Sequence, residues 1–531
     1  MAAVDEYDFI VVGAGAAGCA LAARLSEDPT ARVLLLEAGP SDRKLEVRLP
    51  AAFPKLFGSE RDWAFETPPE PGLDGRRVFF PRGRTLGGST SMNAMIYTRG
   101  HAADFAAMGD EGGPEWAPDE MARALARVEA TISVQPLRDP NPLSRAFVRA
   151  ARDADLPDDL GRPSERDGVG LVFVTQRRGR RFSAADAYLR PARRRANLRV
   201  RTRAEALALL WADHGRRVDG VVYRHDGLRR DVRARTVVLC AGAIGTPHLL
   251  LRSGVGPGEH LQAHGVRVRR ALTGVGQNLV DHPMSPVVFS CRAPVSLKAA
   301  ESPSQVLRYL LLRRGMLTSN VGEAVAFLRT RRTLDAPDLE LVFAPVTWVG
   351  QGLERPTRHG FTIAPVALAP TSRGQVALAS PDPGEPPAIR PRYLTDPADA
   401  RVLADGVRLA RRIAAHPAVQ AFGDVAEQPP TADAERDEDL VASLREVTQT
   451  LYHPAGTCRM GAGAGAVVDP GLRVYGVDGL AVADASILPA LPRAHPQAAV
   501  LAVAERAAEL LRQPAHGAPV SVELVTSGAR R

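Results

Sequence analysis

The sequence predicts an α/β protein organised around a βαβ unit, and three observations predict it. Residues 7–12 are a short, mostly apolar run followed by Gly13-Ala14-Gly15-Ala16-Ala17-Gly18. Cys19 to Ser26 then reads as a helix rich in Ala and Leu. A second apolar run, Arg32 to Leu36, ends at Glu37, 19 residues past the third glycine. Finally, 531 residues at 45% hydrophobic and 24% charged have the composition of an ordinary globular protein, long enough for more than one domain.

The opening unit has a specific chemistry. In a G-x-G-x-x-G turn between strand and helix, the first glycine makes the tight turn, the second lets backbone approach a pyrophosphate, and the third lets helix and strand pack closely. Gly13, Ala14, Gly15, Ala16 and Gly18 are therefore candidate cofactor-binding residues. Glu37 stands where a carboxylate would hydrogen-bond the ribose hydroxyls of an adenine dinucleotide and repel a 2′-phosphate. The motif alone does not choose between NAD and FAD.

Further along, Met121, Leu125 and Val128 fall on one face of a helical stretch. Strand-like runs follow at Leu198 to Arg201, Ala206 to Trp211, Gly220 to Tyr223 and Thr236 to Leu239, and later at Leu339 to Phe343, Phe361 to Ala367 and Gly374 to Leu378. Four small-residue clusters are interspersed. Arg82-Gly83-Arg84-Thr85-Leu86-Gly87-Gly88-Ser89-Thr90-Ser91-Met92-Asn93 reads as a loop running into a helix. Cys240-Ala241-Gly242-Ala243-Ile244-Gly245-Thr246-Pro247-His248 follows a strand. Tyr452-His453-Pro454-Ala455-Gly456-Thr457-Cys458-Arg459-Met460-Gly461 and Leu480-Ala481-Val482-Ala483-Asp484-Ala485, with His495-Pro496 beyond, lie near the end.

With the opening turn, these clusters make five ordered motifs from about Ile10 to Gln497. Together they resemble the glucose-methanol-choline (GMC) oxidoreductases, FAD-dependent alcohol dehydrogenases and oxidases that include choline dehydrogenase-like members. The resemblance implies FAD and two interleaved parts. One is a Rossmann-like FAD-binding domain at 1–150, 195–283 and 448–513. The other is an α+β substrate domain with an antiparallel sheet at 151–194 and 284–447, and a tail follows at 514–531. It also implies that Leu86, Gly87, Gly88, Ser89 and Asn93 lie near the flavin and phosphates, and that Ala206 meets adenine. Asp484 and Ala485 would lie by the ribityl-pyrophosphate, His495, Pro496 and Gln497 by the ring, with Ala241 among the contacts.

Oxidising an alcohol requires a base for the hydroxyl proton and a polar group to hold the resulting oxygen. By the same resemblance His453 is the expected base and His495 the supporting hydrogen-bond partner. Glu323 matches a glutamate that points at the substrate cavity in some members; a carboxylate bonded to neighbouring backbone is the alternative. Met92 stands where several oxidases carry a flavin-linking histidine, and a thioether cannot form that bond, so noncovalent FAD is expected. The expected function is oxidation of a primary alcohol or sugar-like hydroxyl, the alternative a hydroxynitrile-lyase-type reaction without net redox. The electron acceptor, whether oxygen, a quinone or another carrier, carries no motif.

Charge and cysteine usage bound the partners. The chain carries 68 Lys and Arg against 60 Asp and Glu, and only Lys44, Lys55 and Lys298 among the cations are lysine. Arginine runs at 177–181 and 193–195 could form a nucleic-acid footprint, but acidic residues are nearly as many and equally spread, so no nucleic-acid partner is expected. Cys19, Cys240, Cys291 and Cys458 are widely separated with no C-x-x-C pair, which indicates neither a disulfide framework nor a metal site. The run Phe9 to Ala23 is preceded by acids where a signal peptide is positive. No segment is expected to span a membrane, and a cytoplasmic setting is the expectation.

Overall fold

The computed structural model describes residues 6–154, 156, 167–212, 215–380, 382, 384–434 and 436–512. The expected tail at 514–531 lies outside them. Two large sheets organise the chain.

In the first sheet, Glu6–Val12 lies between Val33–Leu36 and the end of Leu228–Leu239, parallel to both. Leu198–Arg201 extends the sheet beyond Val33–Leu36, and Leu480–Val482 joins the other side, again in parallel. The early half of Leu228–Leu239 instead pairs antiparallel with Val218–His225, which pairs with Ala204–Trp211. One strand of 12 residues therefore joins a parallel dinucleotide-type sheet to an antiparallel meander. The central strands are apolar at successive positions because the sheet is covered on both faces, which removes the alternation a half-exposed strand would show. Helix Ala16–Leu25 packs on the C-terminal helix Gln497–Arg512, and that helix packs in turn on Pro118–Thr131, where Met121, Leu125 and Val128 are buried as the spacing predicts.

The second sheet is antiparallel in the order Ala426–Glu427, Val287–Ser290, Gly360–Ala367, Leu339–Ala344, Ala324–Leu328, Gly168–Leu171, with Pro283–Met284 added at Gly360–Ala367 and Gln449–Thr450 paired in turn with Pro283–Met284. Its period-2 geometry sorts side chains by face. Leu341, Phe343, Phe361 and Ile363 join a core with helix Pro397–Ala414, while Val342, Ala344, Thr362 and Ala364 face a cavity. That helix starts cleanly, with Asp396 accepting from the Ala398 N–H and Pro397 at its first position. Gly406 brings it close to the sheet, since a Cβ there would lie 2.5 Å from Pro365.

Three details differ from the sequence reading. Helix Pro142–Asp153 packs with the antiparallel sheet rather than the parallel one. The run at 374–378 gives a strand, Gln375–Ala377, that pairs with Ala388–Arg390 in a separate ribbon, because the Val376 N–H is taken by the Gly276 carbonyl at 2.7 Å. The loop at 82–93 makes only a 3-10 turn over Gly88–Ser91, since Gly87 and Gly88 both adopt positive φ. Among the described residues no helix is long and apolar enough to cross a membrane.

Candidate active site

A cavity of about 560 Å³ runs from the opening glycine turn to the antiparallel sheet. At one end the three glycines divide their tasks. A Cβ on Gly18 would sit 1.8 Å from the Gly13 carbonyl, and one on Gly13 would meet the Cys240 carbonyl at 2.6 Å, so both are packing glycines. Gly13 and Gly15 both line the cavity, but Gly15 differs in that a Cβ there meets nothing nearer than 4.0 Å. It precedes the first turn of helix Ala16–Leu25, which has neither a side-chain cap nor an acidic residue. Free amides and a positive dipole end thus face open space, as a pyrophosphate requires.

Glu37 faces the same space. Its two oxygens accept from the N–H groups of Ala14 at 2.9 Å and Gly39 at 2.8 Å, and burial pushes its carboxyl up to about 7 against those bonds. Each oxygen keeps a lone pair for a hydroxyl donor such as ribose supplies. Ala16, Gly88, Ser89, Ala206, Ala241 and Ala485 also line the cavity. Asp484 does too, but its oxygens are held by Gly242 N–H, Thr246 Oγ1 and Ser486 N–H, so it fixes the wall. Ala14, Gly18, Leu86 and Gly87 do not line the cavity. Leu86 is packed in the core, and the Gly87 N–H donates to the Ala14 carbonyl at 2.8 Å, so these residues join the two glycine loops from behind.

Midway, the Asn93 amide donates to Gln497 Oε1 at 2.8 Å, while Asn93 Oδ1 accepts from Arg181 at 2.7 Å. The Gln497 Nε2 is buried on the cavity wall with no protein partner, a donor left over for a ligand. Met92 lies beside it in an apolar cluster with Val47, Leu56 and Phe57. The fit to a flavin dinucleotide is therefore good: bare glycine backbone and a helix N-terminus for phosphates, a carboxylate for ribose, and an unpaired amide farther on.

The other end holds three histidines. His453 and His495 rings lie 4.8 Å apart at 80°, both on the cavity wall, with Pro496 beside them. Behind His453 stands His282, fully buried, with Nδ1 to Nδ1 at 2.9 Å and its Nε2 at 3.1 Å from the Leu368 carbonyl. A carbonyl only accepts, so His282 Nε2 carries the proton. Burial, with the charge of His495, pushes His282 down to about 3, so it is neutral and its Nδ1 is a bare acceptor. His453 Nδ1 must then donate, which leaves the lone pair on His453 Nε2.

His453 itself is surrounded by protein yet keeps ring surface open to the cavity. Burial, with His495, His282 and Arg82 nearby, holds it well below the usual histidine range. Its main-chain N–H donates to Asp281 at 2.7 Å, and Asp281 is in turn held by Tyr393 and Thr450 hydroxyls. Tyr452, with φ of 70°, turns the chain at this point. His495 Nε2 lies 3.0 Å from Glu340 Oε1, and its N–H donates to Thr98.

This pairing of a glycine-turn dinucleotide cleft with a histidine-lined pocket is matched by similarity along the chain. The GMC oxidoreductase N-terminal family model matches residues 7–284, and the C-terminal model matches 370–504. The chain belongs to the GMC oxidoreductase family. It is 44% identical to an uncharacterized GMC-type oxidoreductase of Mycobacterium tuberculosis, over 96% of this chain and 99% of that one. It is 37% identical to an alcohol dehydrogenase [acceptor] of Pseudomonas putida, over 95% of each. Among solved structures it is similar to pyridoxine 4-oxidase from Mesorbium loti, with TM-score 0.86, 32% identity, and coverage of 96% and 100%. It is an enzyme, an FAD-dependent oxidoreductase of the GMC type.

Within this GMC enzyme Glu323 does not take the substrate-facing position. Its side chain is 1% exposed and away from the cavity, accepting from Ser319 Oγ at 2.5 Å, Ser144 Oγ at 2.8 Å and the Asn141 N–H at 2.7 Å. The carboxylate caps the turn before helix Pro142–Asp153, so it is a packing group. The walls of this end draw on residues far apart in the chain. Phe53 and Phe57 contribute with Trp348 and Tyr452 to a ring cluster with centroids 5.8–6.3 Å apart. Trp348 Nε1 and Tyr452 Oη are buried there with no protein partner. His282 and Glu340 were missed although each leaves a trace, a charged or titratable residue inside an apolar run at 279–284 and 339–344.

Proposed function

We propose that this GMC enzyme oxidises the hydroxyl group of an uncharged, largely apolar alcohol to the carbonyl, with His453 as base and His495 as the group that holds the oxygen. The observation that carries this reading is the His282 relay, which leaves a bare lone pair on His453 Nε2 beside the cavity. Rings at right angles and 4.8 Å apart let one small oxygen touch both histidines. His453 Nε2 takes the hydroxyl proton. His495, oriented by Glu340, steadies the charge that develops on that oxygen. The depressed basicity of His453 keeps it neutral, and so able to accept, throughout the neutral range.

Gly15 and the N-terminus of helix Ala16–Leu25 would hold the FAD pyrophosphate, Glu37 the adenosine ribose, and Gln497 with Asn93 the ring end. When bound, FAD supplies the hydride acceptor of the reaction. Met92, in its apolar cluster, has no chemistry for a histidyl linkage, so FAD is held noncovalently and acid precipitation releases it. The carboxylates on the cavity wall are Glu37, Glu205, Glu385 and Asp484, of which Glu37, Glu205 and Asp484 belong to the cofactor end. At the aromatic end the nearest carboxylates, Glu340 and Asp281, do not line the cavity and are engaged by His495 and by the Tyr393 and Thr450 hydroxyls, so an apolar alcohol fits better than a cationic one, since a buried cation without a free counter-charge is costly.

The test is an alcohol panel under anaerobic conditions. Aliphatic or aromatic primary alcohols bleach the flavin absorbance faster than choline does. A faster reaction with choline would overturn the substrate assignment, and turnover with no bleaching would favour the lyase reaction. Repeating the panel with oxygen and with an artificial acceptor separates oxidase from dehydrogenase.

A further inference from the structure

Nine large apolar side chains are exposed among the described residues, and five of them, Val306, Leu307, Leu310, Leu311 and Leu312, stand on the single helix Pro303–Leu312. Leu311 is 72% exposed and Leu312 60%. Soluble surfaces scatter such residues singly, so a ridge of five marks a surface that is covered in use. The helix buries one residue, Tyr309, whose hydroxyl donates to the Gly179 carbonyl at 3.2 Å.

That contact brings a second feature alongside. Gly179 is the tip of the hairpin that carries Arg177, Arg178 and Arg180, all exposed, and a Cβ on Gly179 would lie 2.7 Å from the Arg313 carbonyl. The hairpin arginines therefore flank the end of the leucine helix, where Arg313 and Arg314 follow directly. Arg308 is exposed on the helix itself and paired with Asp139 at 3.5 Å. Arg178, Arg180 and Arg314 have no carboxylate partner among the described residues.

We propose that this leucine ridge with its arginine rim docks the enzyme peripherally on an anionic lipid bilayer. Leucines entering the acyl boundary and arginines at headgroup level satisfy both halves of the patch at once. A second copy of the chain would cover the leucines, but the exposed Arg178, Arg180 and Arg314 call for an anionic surface that an apolar helix pair does not supply. The position adds a purpose. Tyr309 shares an apolar cluster with Leu49 and with Ala51 of the adjoining segment Pro50–Leu56, and Phe53 of that segment lines the cavity. The docking ridge thus lies on the outer side of a wall whose inner side belongs to the aromatic end of the active site. Delivery of a membrane-dissolved apolar alcohol rests on the function proposed above; docking itself does not.

Docking is tested without turnover, by co-sedimentation of the holoenzyme with phosphatidylcholine vesicles containing 30% phosphatidylglycerol and with phosphatidylcholine vesicles alone. The enzyme binds the anionic vesicles, and binding falls steeply with salt. Leu310→Ser/Leu311→Ser and Arg178→Glu/Arg180→Glu each weaken binding at least tenfold, while both retain turnover of a water-soluble alcohol within twofold. Absence of wild-type binding, or variants that bind as the wild type does, overturns the proposal. So does a wild-type dimer in sedimentation velocity that Leu310→Ser/Leu311→Ser converts to monomer.

Discussion

The two ends of the cavity are built by opposite means. At the cofactor end the chain offers main chain: a bare Gly15, the uncapped start of a helix, and one carboxylate pinned by two amides. At the substrate end it offers side chains, and nearly every one comes from a different place, with Phe53, His282, Glu340, His453 and His495 on five separate segments. The first end needs a fixed backbone shape, which a short run of small residues can specify. The second needs particular atoms at particular distances, which no single run can supply.

Substitution of His453 by Ala pushes this contrast hardest. It removes the proposed base while leaving the glycine end intact, so flavin reduction falls by about 10²–10⁴-fold with FAD still bound. Near-normal reduction in rapid mixing would remove His453 from the base role. Next in size are two glycine changes that separate packing from binding at the cofactor end. Gly18→Ala drives a methyl into the Gly13 carbonyl and lowers stability by about 1–3 kcal/mol or more in chemical denaturation. Gly15→Ala leaves the stability of the apoprotein unchanged and weakens FAD binding, because its methyl enters open cavity. Equal effects of the two on apoprotein stability would erase the distinction.

A smaller effect reports on the relay. His282 in the folded chain resists protonation down to about 3, whereas an unfolded histidine takes up a proton near 6.5. The unfolded state therefore binds more protons in that window, and stability contributed by neutral His282 is lost as pH falls from 6.5 toward 3. The slope is up to about 1.4 kcal/mol per pH unit. Thermal melts of wild type and His282→Gln should converge or cross as pH falls; a constant difference would mean the histidine is not held neutral. The smallest effect concerns Glu323→Gln, which disturbs a buried capping knot and costs about 1–3 kcal/mol of stability. The KM for alcohols stays within about twofold, and a large change would return Glu323 to the substrate site.

Much of the cofactor end was legible because its signals are local. The positions of Gly13, Gly15, Gly18 and Glu37 relative to a strand and a helix follow from turn geometry, and Met121, Leu125 and Val128 follow from helical period. Even so, residues within one motif proved unequal. Gly15 faces the cavity and Gly18 a carbonyl, and Leu86 and Gly87 lie behind the wall while Gly88 and Ser89 line it. The spacing gives the turn, and only packing tells which atoms remain uncovered.

The arginine excess shows the same limit from the surface. In the sequence the run at 177–181 is a charge cluster that suggests no more than a nucleic-acid footprint, set aside on the charge balance, and Tyr309 to Leu312 is a short apolar run between Arg308 and Arg313. The fold sets the two side by side through the Tyr309 hydroxyl and the Gly179 carbonyl. By itself the sequence determined the α/β class, the dinucleotide turn with its carboxylate, and the family. The tertiary structure decided that His282 sets the protonated nitrogen of His453, that Glu340 orients His495, and that Glu323 packs rather than binds. The physical reason is range. Turns and periodicities are fixed by residues a few positions apart, while hydrogen-bond relays join groups 171 and 155 positions apart, whose distance is set only when both sheets have closed around the cavity.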